Sequence, residues 1–182
     1  MKELNWKTCS SEYIHKGNWA TLRRDVCEMP DGRVVDDYYV LEYPNWVNAV
    51  AITDDNKILM VSQYRHAANI VSLEIPGGVI DDGELPEDAI KRELLEETGY
   101  QFDDVVLVST LYPNPSTANN VCYGFLAKGG KKVNEQSLDE HEEIVVHEMT
   151  IAEVKQALLE NKIPQALHSS ALFYALVKLG GL

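Results

Sequence analysis

Short runs of β-branched and aromatic residues, separated by polar turns, dominate the chain and predict a sheet-rich fold. The first pair of runs, within residues 18–43, flanks the turn Pro30-Asp31-Gly32 and predicts a β-hairpin. A second hairpin is predicted to join residues 46–53 to residues 58–65 through a polar turn. Four further strands are predicted, over the segments VSLEIP, DVVLVST, NNVCYGFLAKG and IVVHEM.

Three segments carry the end signals of helices. Residues 86–98 begin on a proline, have acids in the first turn and precede Gly99, which predicts a helix with a glycine at its end. Two later helices are predicted, one over about residues 151–161 after a Thr150–Glu153 capping box, and one opened by Pro164 and ended by Gly180. Strands mixed with few helices indicate an α+β fold, a mixed α/β/α sandwich.

Charge, apolar content and cysteine number limit the classes of partner and the compartment to be expected. The formal net charge of −13 over 182 residues disfavours binding to nucleic acid or to anionic membranes, since both depend on basic residues. The N-terminus lacks the apolar core of a secretory signal, and no apolar run is long enough to span a membrane. Three distant cysteines, Cys9, Cys27 and Cys122, argue against a disulfide framework. We therefore expect a cytoplasmic protein, in which an anionic substrate needs a local cation.

The helix at residues 86–98 concentrates acidic side chains beside its apolar face. On a helical wheel, Glu93, Glu96 and Glu97 share one face, and Ile90 and Leu94 lie next to it instead of opposite. A merely solvated acidic stripe is expected across the helix from the packed face. These carboxylates are therefore expected to be crowded and partly desolvated, which is unfavourable without a compensating cation.

Two explanations of this acidic cluster stay open on the residues alone. Arg92 can pair with Glu96 and with Glu84, but one guanidinium cannot neutralise the whole cluster. Hard divalent cations such as Mg²⁺ or Mn²⁺ suit carboxylate oxygens and predict a metal site. A solvated acidic helix is the equally weighted alternative.

The segment around this helix resembles the Nudix box, GX5EX7REUXEEXGU, where U is a bulky apolar residue. Gly78, Glu84 and the run from Arg92 to Tyr100 fill every fixed position over 23 residues, with Tyr100 an unusual aromatic at the last U. The resemblance implies a Nudix fold that hydrolyses a nucleoside diphosphate linked to another moiety. It also implies that Glu93 and Glu97 ligate Mg²⁺, or Mn²⁺, with Glu96 assisting and the Gly77 carbonyl as a backbone ligand.

The flanking sequence is similar to one branch of this family, the ADP-ribose pyrophosphatases. That branch often has QYR…E-L-P-A-G before the box, here SQYRHAANIVSLEIPGG, and prolines after it, here Pro113 and Pro115. It also has an N-terminal sheet that helps to form a homodimer and to complete the substrate pocket. We accordingly expect a segment of that kind over residues 1–44 and a Nudix hydrolase domain over residues 45–182. From the residues alone, the first hairpin is equally well explained as an extra sheet edge.

The same resemblance implies roles for residues outside the helix. Arg65 is implied to contact the diphosphate, its alternative being an ordinary arginine at a strand end. Glu74 and Val79 are further expected substrate contacts, although a buried structural glutamate explains Glu74 equally well. The general base is implied to be a glutamate on the loop SLDEHEEIVVHEM, either Glu140 or Glu142, acting with Glu97; a solvated acidic turn is the alternative.

The sequence also departs from that branch. The first hairpin lacks the tryptophan and second arginine that some relatives use for the adenine and phosphates. Four aromatic residues are candidate stacking partners for a base in their place, although aromatic residues in strands more often form the core: Trp19, Tyr38, Tyr39 and Trp46. The expected function is Mg²⁺-dependent hydrolysis of ADP-ribose or a related nucleoside diphosphate sugar. Alternatives are another Nudix substrate, such as GDP-mannose or a nucleoside triphosphate, and a non-catalytic ADP-ribose sensor.

Overall fold

The computed structural model describes residues 3–18 and 20–181, which divide into two compact units. The smaller unit comprises Met1–Pro44 and Tyr112–Asn120, and the larger comprises Asn45–Leu111 and Val121–Leu182. The smaller unit contains an antiparallel sheet in the order β1-β2-β3, formed by β1 (Lys7–Lys16), β2 (Thr21–Glu28) and β3 (Val34–Glu42). The predicted first hairpin is β2–β3, and the N-terminal antiparallel sheet is confirmed.

The larger unit is built on a seven-stranded mixed sheet. Its strands are β4 (Trp46–Thr53), β5 (Lys57–Arg65), β6 (Ile70–Glu74), β7 (Tyr100–Gln101), β8 (Asp104–Leu111), β9 (Cys122–Lys132) and β10 (Ile144–Thr150). The order is β10-β5-β4-β9-β7, with β6 paired to β5 and β8 paired to β9. Among these described strands only β4 and β9 pair in parallel, and the antiparallel hairpin β4–β5 is the second of the two predicted hairpins.

Helices cover both faces of this sheet, which confirms the predicted sandwich. The helices are α1 (Pro86–Thr98), α2 (Ile151–Leu159) and α3 (Ala166–Lys178). Because side chains alternate along a strand, Leu59 of β5 packs with α1 while its neighbours Ile58 and Met60 pack with α2 and α3. Cys122 of β9 is buried, as expected of a small core residue.

Some element boundaries differ from those predicted. The predicted opening of the last helix at Pro164 is wrong, because Gln165 keeps an extended backbone and α3 begins only at Ala166. The second helix has the predicted capping box at Thr150 but ends at Leu159, because Asn161 takes a left-handed φ of 55°. β1 and β7 were not predicted. No helix in the described part of the chain is long and apolar enough to cross a membrane.

Candidate active site

The first helix carries its acidic face into the core of the larger unit. Glu97 is only 5% exposed and lies among the buried residues of α1 together with Ile90 and Leu94. This confirms the helical-wheel prediction that the glutamates border the packed face. The helix ends at Gly99, whose φ of 75° suits glycine and whose N–H donates to the Leu95 carbonyl.

Arg92 is the hub of the acidic cluster. Its Nε and Nη2 donate to the Glu84 carboxylate, both at 3.0 Å, so the predicted pairing with Glu84 is present. Its Nη1 donates to Glu93 Oε1 at 3.0 Å and to Glu96 Oε2 at 2.9 Å. Nη2 also reaches the Val79 carbonyl at 3.0 Å. One guanidinium is thus shared among three carboxylates, which leaves the cluster with excess negative charge.

The two glycines before the helix lie directly against the carboxylates. The Gly77 N–H donates to Glu97 Oε2 at 2.9 Å. A methyl group on Gly78 would lie 2.3 Å from Glu93 Oε1, closer than any normal contact. A methyl group on Gly77 would instead meet backbone, 2.2 Å from the Val47 carbonyl oxygen. Both glycines are therefore required by close approach, but they face different neighbours.

This difference predicts contrasting outcomes for two single-methyl substitutions. Gly78→Ala is expected to fold and to lose most activity, because the Glu93 carboxylate has to move while the backbone stays. Gly77→Ala is expected to cost about 3 kcal/mol in the free energy of unfolding, because strand backbone cannot move aside easily. Thermal unfolding and turnover of both variants check this. Equal loss of stability in the two variants would contradict the assignment.

Burial and mutual repulsion change the acidity of the two inner glutamates. Burial raises the pKa of Glu97 to about 8, with the charges of Glu93 and Glu142 adding to the shift. Burial raises the pKa of Glu93 to about 7, opposed by Arg92 and reinforced by Glu96 and Glu142. Removing protons from both groups therefore creates charge that only a cation can compensate.

These raised pKa values predict how the stability of the metal-free protein depends on pH. Between the ordinary glutamate pKa of 4.5 and about 8, the folded state binds more protons at Glu93 and Glu97 than the unfolded state does. Stability from these groups is lost as pH rises through that range. Burial lowers the pKa of His168 to about 4, below its ordinary value of 6.5. The stability contribution of His168 therefore rises with pH, opposite to that of the glutamates, but only below about pH 6.5.

Thermal unfolding with a chelator is the measurement, at pH 6.5, 7.5 and 8.5. We expect the melting temperature of the wild type to fall across this range and that of Glu97→Gln to fall less, because glutamine does not titrate. A divalent cation is expected to restore the wild-type melting temperature at pH 8.5. Identical pH dependences for the two proteins would show that Glu97 titrates normally.

The loop that was expected to carry the general base is anchored to the end of α1. The Gln136 side-chain amide donates to the carbonyls of Glu97 and Ile144, at 2.7 and 3.1 Å, and the Ser137 N–H donates to the Glu96 carbonyl at 2.8 Å. Glu142 is exposed, yet its charge contributes to the raised pKa of both Glu93 and Glu97. Glu140 is also exposed and lies on the same turn. Glu142 is thus a loop glutamate whose charge acts on Glu93 and Glu97.

Arg65 and Glu74 form one ion pair at the edge of the cluster. Arg65 Nε and Nη2 donate to the two oxygens of Glu74, at 3.0 and 2.5 Å. Glu74 is 1% exposed, and His168 Nε2 of α3 lies 3.2 Å from its Oε2. The Arg65 charge in turn opposes the raised pKa of Glu97. Val79 is 41% exposed and offers its carbonyl to Arg92.

Tyr38, one of the aromatic residues considered for base stacking, has defined contacts within the smaller unit. The Tyr38 hydroxyl donates to the Ser116 carbonyl at 2.9 Å, and its ring packs edge-on against Trp6. Tyr39 is 48% exposed. In the larger unit, Trp46 is half-buried at the start of β4. Trp19 lies outside the described residues.

Comparison with known proteins identifies the family. A model described as the NUDIX domain matches residues 43–170, and one described as the nucleoside diphosphate sugar hydrolase N-terminal domain matches residues 6–41. The chain belongs to the Nudix family. The resemblance inferred from the box is thereby confirmed, and the N-terminal match places the chain near Nudix proteins that act on nucleoside diphosphate sugars.

Individual Nudix relatives cover most of the chain. It is 32% identical to the ADP-ribose pyrophosphatase of Bacillus subtilis strain 168, over 98% of this chain and 96% of that protein. It is 35% identical to a methanol dehydrogenase activator of Bacillus methanolicus, over 86% and 85% of the two chains. A crystal structure of an ADP compounds hydrolase superposes with a TM-score of 0.85 over the whole of both chains at 23% identity, which supports the fold.

The Nudix family uses divalent metal ions, and the donors of this chain fit one. Glu97 offers buried and Glu93 partly buried carboxylate oxygens, and their pKa values are raised by burial and by neighbouring acidic charges. In residues 3–18 and 20–181, no three acidic, histidine or cysteine side chains already converge on a common point. Arg92 and the Gly77 N–H instead engage the two carboxylates that the family resemblance implies as metal ligands.

Proposed function

We propose that this Nudix protein hydrolyses the pyrophosphate bond of ADP-ribose or a related nucleoside diphosphate sugar, giving a nucleoside monophosphate and a sugar phosphate. The observation that carries the proposal is the pair of carboxylates with raised pKa values, buried Glu97 and partly buried Glu93, set against the Gly77–Gly78 loop. The pyrophosphatase of B. subtilis, which aligns with nearly the entire chain, supports the choice of substrate class.

The metal roles are those that the family resemblance implies. Glu93 and Glu97 would hold Mg²⁺, or Mn²⁺, with Glu96 assisting and the Gly77 carbonyl as a backbone ligand. When bound, the ion neutralises diphosphate oxygens and lowers the pKa of the attacking water. Arg92 restrains Glu93 and Glu96 through its hydrogen bonds to both carboxylates.

Glu142 acts as the general base in this proposal. Water attacks one phosphorus, its proton passes to the Glu142 carboxylate, and the bridging oxygen leaves with the other phosphate. The sequence left Glu140 and Glu142 open, and the contribution of Glu142 to the pKa of Glu93 and Glu97 favours the latter. Its place on an exposed loop allows the carboxylate to approach only when substrate is bound.

Substrate contacts come from residues outside the acidic helix. Arg65 binds the diphosphate, Glu74 acts through Arg65, and Val79 is a further contact. The N-terminal sheet forms a homodimer and covers the substrate, in line with the match of residues 6–41 to the N-terminal domain of nucleoside diphosphate sugar hydrolases. We place the reaction in the cytoplasm.

A panel of nucleotide substrates tests the proposal. The purified protein is incubated with ADP-ribose, GDP-mannose and a nucleoside triphosphate, with Mg²⁺ or with a chelator, and the products are separated. The expected result is a monophosphate and a sugar phosphate from ADP-ribose, only with the metal. Preferred release of inorganic pyrophosphate from the triphosphate would contradict the assigned substrate class.

A regulatory role is the second candidate, and one relative favours it. The relative in B. methanolicus is named as an activator of another enzyme, methanol dehydrogenase. A non-catalytic sensor would bind ADP-ribose in the presence of Mg²⁺ without turning it over. Calorimetric binding measured alongside product formation separates the two, because turnover at enzymatic rates excludes a sensor that lacks catalysis.

A further inference from the structure

Three side chains from three different elements form a continuous polar contact beneath the proposed diphosphate site. Arg65 ends β5, Glu74 ends β6, and His168 lies in the first turn of α3. Arg65 contacts both oxygens of Glu74, and His168 Nε2 lies 3.2 Å from the oxygen that also accepts from Arg65 Nη2. No motif or spacing in the sequence distinguishes His168 from the other residues of α3.

This contact is buried at one end and open at the other. Glu74 is 1% exposed and His168 is 6% exposed, whereas the Arg65 side chain is 41% exposed. Nε and Nη2 of the guanidinium are occupied by Glu74, and Nη1 has no acceptor in the described part of the chain. One edge of Arg65 is thus fixed from inside the protein, and the other edge is free to bind an anion.

The Arg65 guanidinium lies within electrostatic range of the carboxylate cluster. The charges of Glu97 and Glu142 both contribute to the raised pKa of Arg65, after the larger contribution of its hydrogen bond to Glu74. A diphosphate bound to a metal at Glu97 would therefore come within reach of Arg65. An arginine that is flexible in the free protein would bind it less well, because ordering the side chain costs entropy.

A neutral histidine suits the buried end of the contact between Arg65, Glu74 and His168. Burial lowers the pKa of His168 to about 4, so the imidazole is uncharged at neutral pH. Burial works against ionisation of Glu74, yet its pKa lies below the ordinary value because of the contacts led by Arg65. A neutral imidazole can orient this carboxylate without competing with the Arg65 charge. A buried polar pair is costly compared with apolar packing, which argues for a role beyond stability.

We propose that His168 is a positioning residue: through Glu74 it holds Arg65 in the orientation in which the free guanidinium edge meets the substrate diphosphate. The inference rests on the proposed function, since it assigns the diphosphate to Arg65. It predicts that removing the imidazole weakens substrate binding, and that this effect passes through Arg65.

A double-mutant cycle tests the inference, with kcat and KM measured for ADP-ribose. His168→Phe is expected to raise KM roughly tenfold with little change in kcat, because the contact acts equally on substrate and transition state. In an Arg65→Ala background, His168→Phe is expected to add no further increase in KM. If His168 had only a structural role, His168→Phe would raise KM by the same factor in the wild-type and Arg65→Ala backgrounds.

Two more variants separate the contact from packing. His168→Gln places an amide where Nε2 lies and is expected to restore KM to near the wild-type value, whereas His168→Asn reaches only the Nδ1 position and is not. His147→Phe is the matched control, a half-buried histidine that contacts Ser62 instead. If His168→Phe fails to fold, the KM values and melting temperatures of His168→Gln and His168→Asn test the positioning role instead.

The results distinguish the inference from the function on which it rests. Wild-type turnover of ADP-ribose combined with an unchanged KM in His168→Phe would overturn the positioning role alone. An equal effect of His168→Phe with and without Arg65 would do the same. Absence of turnover of every nucleoside diphosphate sugar by the wild type would overturn both.

Discussion

The Glu97→Gln variant is expected to keep the wild-type fold and to lose roughly three orders of magnitude or more in kcat. Glutamine has the shape of a protonated glutamate, and the raised pKa of about 8 means that the metal-free protein already holds Glu97 largely protonated at neutral pH. The Gly77 N–H keeps an oxygen acceptor in the variant. Only the ability to become a charged metal ligand is lost.

Steady-state rates for ADP-ribose at saturating Mg²⁺ measure this effect, with melting temperature as the check on folding. Glu87→Gln is a matched control, because Glu87 lies on the same helix, is exposed and pairs only with Lys91 among its described contacts. We expect the control to retain wild-type turnover. Activity within tenfold of the wild type in Glu97→Gln would remove Glu97 from the metal site.

The second large loss of kcat is expected when the loop glutamate Glu142 is substituted. Glu142→Gln should lower kcat by about 10²- to 10⁴-fold, the usual contribution of a general base, while leaving substrate binding almost unchanged. Glu140→Gln is the matched control on the same turn and should stay within a few-fold of the wild type. Both substitutions remove one negative charge from the same turn. A difference between their kcat values therefore reflects the position of the glutamate and not the loss of charge.

The rates of the two variants together decide which loop glutamate is the general base. A large loss in Glu140→Gln with normal rates in Glu142→Gln would transfer the role to Glu140. Normal rates in both variants would show that the base lies elsewhere.

The sequence was most informative where local chemistry determines structure. The helix at residues 86–98 was predicted with its boundaries, because Pro86 and Gly99 act within one turn of its ends. The capping box at Thr150 was predicted for the same reason. The burial of Glu97 beside Leu94 followed from helical periodicity alone, which requires no knowledge of the rest of the fold.

Features that depend on distant partners were missed. β1 has little apolar alternation and exists because it pairs with β2 along its length. The contact of His168 with Glu74 joins residues 94 positions apart, which no local pattern reveals. Gln136 likewise anchors the loop before β10, because its side-chain amide donates to the backbone carbonyls of Glu97 in α1 and Ile144 in β10. Long-range polar contacts of this kind become visible only in the folded structure.

Several assignments stay predictions from the family resemblance. The ligand set, the role of Arg65 in diphosphate binding and the choice of Mg²⁺ depend on groups that arrive with substrate and ion. The protein's own contribution to them is physical and specific: crowded carboxylates held by Arg92, a glycine loop without room for a side chain, and a guanidinium with one free edge.

Calorimetric titration of Mn²⁺ and Mg²⁺ into the purified protein, in the presence and absence of a non-hydrolysable ADP-ribose analogue, addresses the carboxylate cluster most directly. We predict saturable binding accompanied by proton release at pH 7, because ions displace protons from Glu93 and Glu97, and no such binding in a Glu93→Gln/Glu97→Gln double variant. Equal binding by the double variant, or none by the wild type even with the analogue, would contradict the metal-dependent mechanism.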